Sequence, residues 1–276
     1  MSLIITQALA TARLDLVDAR ALLRHVLGVS DAHLIAHSGQ ELSDSQGDLF
    51  AALAARRRAG EPVAYIVGAR EFFSLEFKVT PAALIPRSET EALVEFALEH
   101  IAPDGVQRVL DLGTGCGCVA ISIAKHRPRA RVIAVDCSTA ALALVRENAQ
   151  RHAVTNLELI ASDWFGALAG RKFDLVVANP PYIAAGDPHL AQGDLRFEPP
   201  DALAAGADGL ACARLIIASA PQYLSGGGRL AFEHGYDQAA RCRELLEAAG
   251  FREVFSRADL AGIERISGGV WGSRRA

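Results

Sequence analysis

Ten residues, Phe173-Asp174-Leu175-Val176-Val177-Ala178-Asn179-Pro180-Pro181-Tyr182, restrict the folds open to this chain more than any other stretch. The apolar run Leu175 to Ala178 suits a strand covered on both faces, as in a parallel sheet. Pro180 and Pro181 have no amide hydrogen, so ladder pairing stops at Asn179. Each proline also pushes the residue before it toward extended geometry. What results is a side-chain amide, a fixed main-chain carbonyl and an aromatic ring at a strand's carboxyl end. Open α/β sheets bind their ligands at that end.

A turn of this kind suits a planar NH2 group. Its two N–H donors lie in one plane, and Asn179 Oδ1 and the Pro180 carbonyl can accept one each. Tyr182 can stack on the planar face, leaving the nitrogen to turn that face toward an electrophile. A Pro-Pro loop terminator with no chemistry is the plainer reading. Average residue frequencies give an accidental Asn-Pro-Pro-Tyr in 276 residues odds of roughly one in a thousand, which favours a functional turn.

The surrounding chain supplies the sheet. After a turn at Pro103 to Val106, strands are expected at Arg108–Leu112, Arg131–Val135, Leu157–Ala161, Phe173–Ala178, Gly228–Glu233, Glu253–Ser256 and Arg265–Gly269. Helices at about 118–126, 139–152, 209–224 and 238–249 fill the gaps, which implies right-handed crossovers and a mostly parallel seven-stranded sheet. The last two strands lack a helix between them, so an antiparallel pair is open there. Residues 1 to about 60 read as helical, with Thr6, Asp18 and Ser43 as candidate caps. Arg56-Arg57-Arg58 reads as a solvated helix end complementing the dipole. Val63-Ala64-Tyr65-Ile66-Val67 and Leu75 to Val79 read as strands of a hairpin connector. Ser88 with Glu91 fits a capping box for a helix reaching about His100.

Charge and cysteine usage narrow the class. Lys and Arg number 28 against 32 Asp and Glu, for a net charge of −4. That balance weighs against a general nucleic-acid binder, whose affinity rests on phosphate neutralisation, though it leaves a local basic patch open. The five cysteines Cys116, Cys118, Cys137, Cys212 and Cys242 are an odd number without disulfide or zinc spacing, so small buried residues in a reducing compartment are expected and no metal. Asp15 and Asp18 interrupt any leader-like start, and no apolar run reaches membrane-spanning length. A soluble cytoplasmic monomer is expected, with no membrane association and no stable nucleic-acid binding.

Val109-Leu110-Asp111-Leu112-Gly113-Thr114-Gly115-Cys116-Gly117 is a strand entering a glycine-rich turn and then a helix. Asp136 closes the next strand, where a ribose-binding acid belongs. A dinucleotide is the first candidate, but Cys118 stands where a third fingerprint glycine should be. Asp111 also puts negative charge where a pyrophosphate wants positive potential. S-adenosylmethionine fits better, having a cationic sulfonium, an ammonium and no phosphate. The turn residues Gly113, Thr114, Gly115, Cys116 and Gly117 would let the backbone approach it, with Asp111 near its cationic end and Asp136 on the ribose hydroxyls. Asp163 and Trp164 of Ser162-Asp163-Trp164 could meet the adenine amine and ring. Taken singly, Asp136 could be only a helix cap and Trp164 only a core aromatic.

These segments closely resemble the protein-(glutamine) methyltransferases that modify peptide chain release factors, a branch of the class I, Rossmann-like methyltransferases. The resemblance covers the whole chain. It rests on Ile85-Pro86-Arg87 with Glu89-Thr90-Glu91, Asp111 to Gly115, Asp136, Ser162-Asp163-Trp164, Asn179 to Ile183, Glu198-Pro199 and Glu233-His234-Gly235. The family usually has proline where this chain has Ser88. Asn-Pro-Pro-Tyr alone is shared with DNA adenine and other amino-group methyltransferases. The helical first segment, Ile-Pro-Arg and Glu-His-Gly are what single out this branch.

The resemblance implies residues 1–61 as a helical substrate-docking domain, 62–84 as a β-hairpin connector and 85–276 as the methyltransferase domain. It implies a release factor as partner and the glutamine of its Gly-Gly-Gln loop as acceptor. Asn179, Pro180 and Tyr182 would then orient the amide for in-line transfer, with Pro181 lining the substrate side and Asn179 also near the cofactor. An amide nitrogen is a poor nucleophile, so positioning and electrostatics must provide much of the rate. The rivals are an amino-group methyltransferase acting on nucleic-acid bases, a cofactor-binding regulator without turnover, and a nicotinamide oxidoreductase.

Overall fold

The structure, a computed structural model, describes residues 3–272 and divides into two compact units that meet in sequence at Ala69 and Arg70. The first holds five helices: α1 (Ile5–Thr11), α2 (Leu16–Leu27), α3 (Asp31–Ala36), α4 (Asp44–Arg58) and α5 (Val63–Val67). Leu22 and Leu23 of α2, Leu34 of α3, Phe50 and Leu53 of α4 and Ile66 of α5 share one buried cluster. Truncating any of the leucines to alanine would cost about 2–5 kcal/mol.

Ser43 caps α4 as its sequence suggests. Its Oγ accepts the Gln46 N–H at 3.2 Å, and Gln46 Oε1 accepts the Ser43 N–H at 2.9 Å. The other two candidate caps are differently employed. Thr6 lies inside α1 and donates its hydroxyl to the Ser38 carbonyl, and Asp18 lies inside α2 and takes Arg57 Nε at 2.6 Å. The Arg56-Arg57-Arg58 run is accordingly more than a solvated end. Arg56 pairs with Glu61, and Arg58 donates to the Ala12 carbonyl.

Val63–Val67, read from sequence as β, is helical. Pro62 stands at its N-cap and Gly68 closes it with a left-handed φ of 76°. Five residues are too few for β-branched crowding to outweigh these two stops, and burying Tyr65 and Ile66 decides the segment.

A hairpin begins at the boundary, β1 (Ala69–Phe72) with β2 (Leu75–Lys78), closed by Phe73 and Ser74, both at positive φ. A single 3-10 turn at Ser88–Thr90 leads into α6 (Glu91–His100). The Ser88–Glu91 capping box does not form. Ser88 donates to Glu89, while Glu91 Oε1 accepts the Phe73 N–H at 2.9 Å and so ties the hairpin turn to α6.

Strand and helix then alternate: β3 (Arg108–Leu112), α7 (Cys118–His126), β4 (Arg131–Asp136), α8 (Thr139–Arg151), β5 (Leu157–Ala161) and β6 (Phe173–Ala178). They are followed by α9 (Ala211–Ser219), β7 (Leu224–Glu233), α10 (Ala239–Ala248), β8 (Arg252–Ala258) and β9 (Glu264–Val270). The expected helix over 209–224 is shorter than its pattern. Gly209 precedes it in the left-handed region, and a 3-10 turn at Ala220–Gln222, holding the donor-less Pro221, ends it. That frees Leu224 to begin β7 four residues before the expected Gly228.

The sheet order is β5-β4-β3-β6-β7-β9-β8. β3 to β7 run parallel, and β9 lies antiparallel between β7 and β8. Alternate residues feed two cores. Val109, Leu175 and Val177 enter the one beneath α6, α7 and α8, while Leu110, Val176 and Phe232 enter the one beneath α9 and α10. Chain order reverses at β3, which has β4 on one side and β6 on the other, and such a switch point opens a crevice at the carboxyl ends.

Candidate active site

Strand register brings the notable residues to one end of the sheet. Asp111 pairs across from Val177, Leu112 from Ala178, and Asp136 from Ala161. The glycine turn, Asp136, Ser162-Asp163 and Asn179 therefore leave the sheet side by side. They border a cavity of about 390 Å³, within the range of small-molecule sites. Asp111, Gly113, Thr114, Gly115, Cys116, Asp136, Asp163, Trp164, Asn179 and Pro181 all line it.

Gly117, Pro180 and Tyr182 are not among the lining residues. Gly117 has φ 86°, and a Cβ there would come within 2.7 Å of Val145 Cγ1, so it packs α7 against α8. Pro180 is buried under the turn. Tyr182 is half-buried, its hydroxyl 3.3 Å from Glu233 Oε1 and its carbonyl accepting Gln238 Nε2 at 3.0 Å.

The turn is built for close approach. Gly113 and Gly115 have φ of 68° and 58°, a region that L side chains rarely adopt. A Cβ on Gly113 would meet the Trp164 ring at 3.8 Å, so cavity space opens beside bare backbone and an aromatic face. Trp164 is itself in the left-handed region at φ 46°, held by the Ser162 hydroxyl donating to its carbonyl at 2.8 Å. Such strain persists where surrounding contacts over-determine it.

The two acids differ. Asp136 Oδ2 accepts the Gly115 N–H and Oδ1 the Ser138 N–H, each at 2.9 Å, while Ser138 itself caps α8. Each carboxylate oxygen still has a lone pair free for a hydroxyl. Asp111 is 1% exposed. Burial pushes its carboxyl up to about 7, against the opposing hydrogen bond from Thr114 Oγ1 at 2.7 Å. A cation arriving beside it would draw the proton off.

At the cavity's other wall, Asn179 Nδ2 donates to Thr90 Oγ1 at 3.0 Å, and Thr90 donates to Glu233 Oε2 at 2.6 Å. Among the described residues Asn179 Oδ1 has no partner. Burial also pushes Glu233 up to about 7, with Glu89 adding to the rise. Sequence reasoning placed neither Thr90 nor Glu233 in the site, although both fall within motifs it singled out. The Ile85-Pro86-Arg87 loop, one of the segments that carry the resemblance, lines the cavity. Fully buried Glu198 holds it, accepting the Ile85 N–H at 2.9 Å and pairing with Arg87. Asn148 was missed altogether. Buried in α8, it donates to the carbonyls of Cys116 and Lys78 and so ties the glycine turn to the hairpin.

A second depression lies at the amino ends of the strands, lined by Arg108, Arg131, Arg171 and Lys172. It stands at the end of the sheet remote from all these groups. Among the described residues no three His, Cys, Asp or Glu side chains converge as a metal ion would need.

Known proteins sharpen the picture. A family model for the methyltransferase small domain matches residues 88–194, and one for the PrmC N-terminal domain matches residues 4–68. Over 271 residues the chain is 54% identical to a release factor glutamine methyltransferase of Burkholderia pseudomallei, covering 95% of this chain and 94% of that protein. This chain belongs to the release factor glutamine methyltransferases. A family member from Xylella fastidiosa is 48% identical over 260 residues, spanning 94% of both chains. In fold alone, the chain resembles the crystal structure of a methyltransferase from Pyrococcus furiosus. That match has a TM-score of 0.55 at 16% identity, over 79% of this chain and 98% of that one.

Proposed function

We propose that this chain methylates the side-chain amide nitrogen of the glutamine in the Gly-Gly-Gln loop of a peptide chain release factor, with S-adenosylmethionine as methyl donor. The observation that carries this reading is Asn179. Its Nδ2 is anchored on Thr90, and its Oδ1, without a partner among the described residues, belongs to the lining of a cavity that the glycine turn also borders.

The residues fit the cofactor. Bare backbone at Gly113 and Gly115 leaves room for it, and Asp111 offers a carboxylate to its cationic end. Asp136 keeps two lone pairs for ribose hydroxyls, and Trp164 with Asp163 meets the adenine. When bound, S-adenosylmethionine supplies an electrophilic methyl group on a sulfonium.

Everything else is orientation. Asn179 Oδ1 and the Pro180 carbonyl accept the two amide N–H groups and turn the nitrogen's face toward the donor. Tyr182 stands outside the cavity lining and braces Glu233 through its hydroxyl. Placing a weak nucleophile in line can supply several kcal/mol of the barrier. The substituted nitrogen is strongly acidic and gives its proton to solvent.

The helical unit serves to hold the release factor. Among the described residues it exposes the large apolar side chains Leu16, Val17, Ile35 and Leu49.

The deciding experiment incubates wild-type protein and Asn179→Ala with labelled cofactor and, separately, a release factor and DNA. Wild type is expected to label the release factor alone. Asn179→Ala should lose at least about 10²-fold in turnover while binding cofactor normally, the scale for one preorganised partner. Label only in DNA, or undiminished turnover by the variant, would overturn the reading.

A further inference from the structure

We infer that Thr90 and Glu233 form a one-way hydrogen-bond relay that fixes which end of the Asn179 amide faces the acceptor. This rests on the reading of Asn179 given above. An amide's oxygen and NH2 are nearly the same size, so packing alone does not choose between them. The choice has to be written in donors and acceptors.

The relay writes it as follows. Glu233, the last residue of β7, is 1% exposed, and a carboxylate there has no proton to donate. Thr90, 2% exposed, must give its single hydroxyl proton to Glu233 Oε2. Toward Asn179 it can then only accept, so Nδ2 turns inward and Oδ1 outward. Tyr182 donates to the other oxygen, Oε1, so each carboxylate oxygen receives a donor.

A donor at position 233 would reverse the sequence. Its proton would go to Thr90, the Thr90 hydroxyl would turn toward Asn179, and the amide would flip to receive it. An NH2 group would then meet the acceptor's own NH2, donor against donor. Such a mismatch leaves polar groups unpaired in a closed site.

Proton uptake by Glu233 has the same effect. The groups acting on it are Thr90 and Glu89 from the 3-10 turn before α6, Tyr182 from the turn after β6, and Arg265 from β9. Burial raises its carboxyl and Glu89 raises it further, while Thr90, Tyr182 and Arg265 hold it down, for a value of about 7. The one-way state is therefore filled as pH rises through neutrality.

The test measures kcat, cofactor Kd and thermal melting for Glu233→Gln, Thr90→Val and Thr90→Ser, using the whole chain with a release factor. Glu233→Gln and Thr90→Val keep the volume and should each cut kcat about 10²-fold, with cofactor Kd changed about twofold or less. Their double variant should be little worse than either, because they break one unit. Thr90→Ser, which keeps the hydroxyl, should recover most of the turnover. At saturating cofactor, wild-type kcat should rise with pH through about 7, and Glu233→Gln should lack that limb. Wild-type kcat in Glu233→Gln and Thr90→Val, with Asn179→Ala inactive, sinks the relay and spares the functional reading. Full activity in Asn179→Ala sinks that reading first. Loss of kcat and cofactor binding together, unrelieved in Thr90→Ser, makes the pair mere scaffolding and overturns the inference.

Discussion

Asp111 and Glu233 are two fully buried carboxyls at the ends of β3 and β7, both raised to about 7 by desolvation. Asp111, assigned to the cofactor's cationic end, should bind as a carboxylate. Binding then releases a proton, and cofactor affinity rises with pH. Calorimetry should find Kd about tenfold weaker at pH 6 than at pH 8, as one group with a value near 7 requires. Asp111→Asn should bind more weakly and show a flat profile; a sloping one would move the proton elsewhere. Asp111 and Asp136 could be read from sequence because each adjoins a glycine turn or closes a strand. Thr90 and Glu233 could not, since their hydrogen bond joins residues 143 apart and only the packing of α6 and the turn before it on β6 and β7 brings them together.

Two glycines separate conformational from steric demands at the level of secondary structure. Gly117 enters α7 at φ 86° with Val145 and Ile121 crowding its missing Cβ, whereas Gly170 has φ 74° and open space. Gly117→Ala should cost about 2–5 kcal/mol, the sum of left-handed strain and overpacking. Gly170→Ala should cost only about 1–2 kcal/mol, from strain alone. Denaturant unfolding measures both, and equal losses would mean that α8 yields to Gly117→Ala. The seven strands were legible because apolar runs bounded by turns leave little else to form. Val63–Val67 was not, because a β-branched run carries the same composition in a short helix and in a strand. Its Pro62 and Gly68 borders and the burial of Tyr65 and Ile66 told them apart. The missing capping box at Ser88 has a similar cause, as Glu91 is recruited by the Phe73 amide of a distant hairpin.

Both raised carboxyls also set how the whole molecule answers to pH. Unfolded, each loses its proton near pH 4, but folded each keeps it to about 7. The folded state thus binds more protons in between, and stability present below pH 4 is lost as pH climbs to 7. Each group contributes at most on the order of 1 kcal/mol per pH unit over that window. The melting temperature without cofactor should fall from pH 5 to pH 8, and the Asp111→Asn, Glu233→Gln double variant should flatten the decline. A decline of unchanged slope would assign it to other groups.

The antiparallel placement of β9 has its own outcome during self-assembly. β8 precedes β9 in the chain yet sits outside it, so β8 never touches β7. β8 pairs with no strand but β9, so the two reach β7 as a local ribbon or with β9 first. Until they do, β7 presents an open row of amides and carbonyls beside Leu230 and Phe232, an invitation to a neighbouring chain. Slow docking of that ribbon would show itself as clumping during refolding at high concentration, well before any loss of the finished protein's strength.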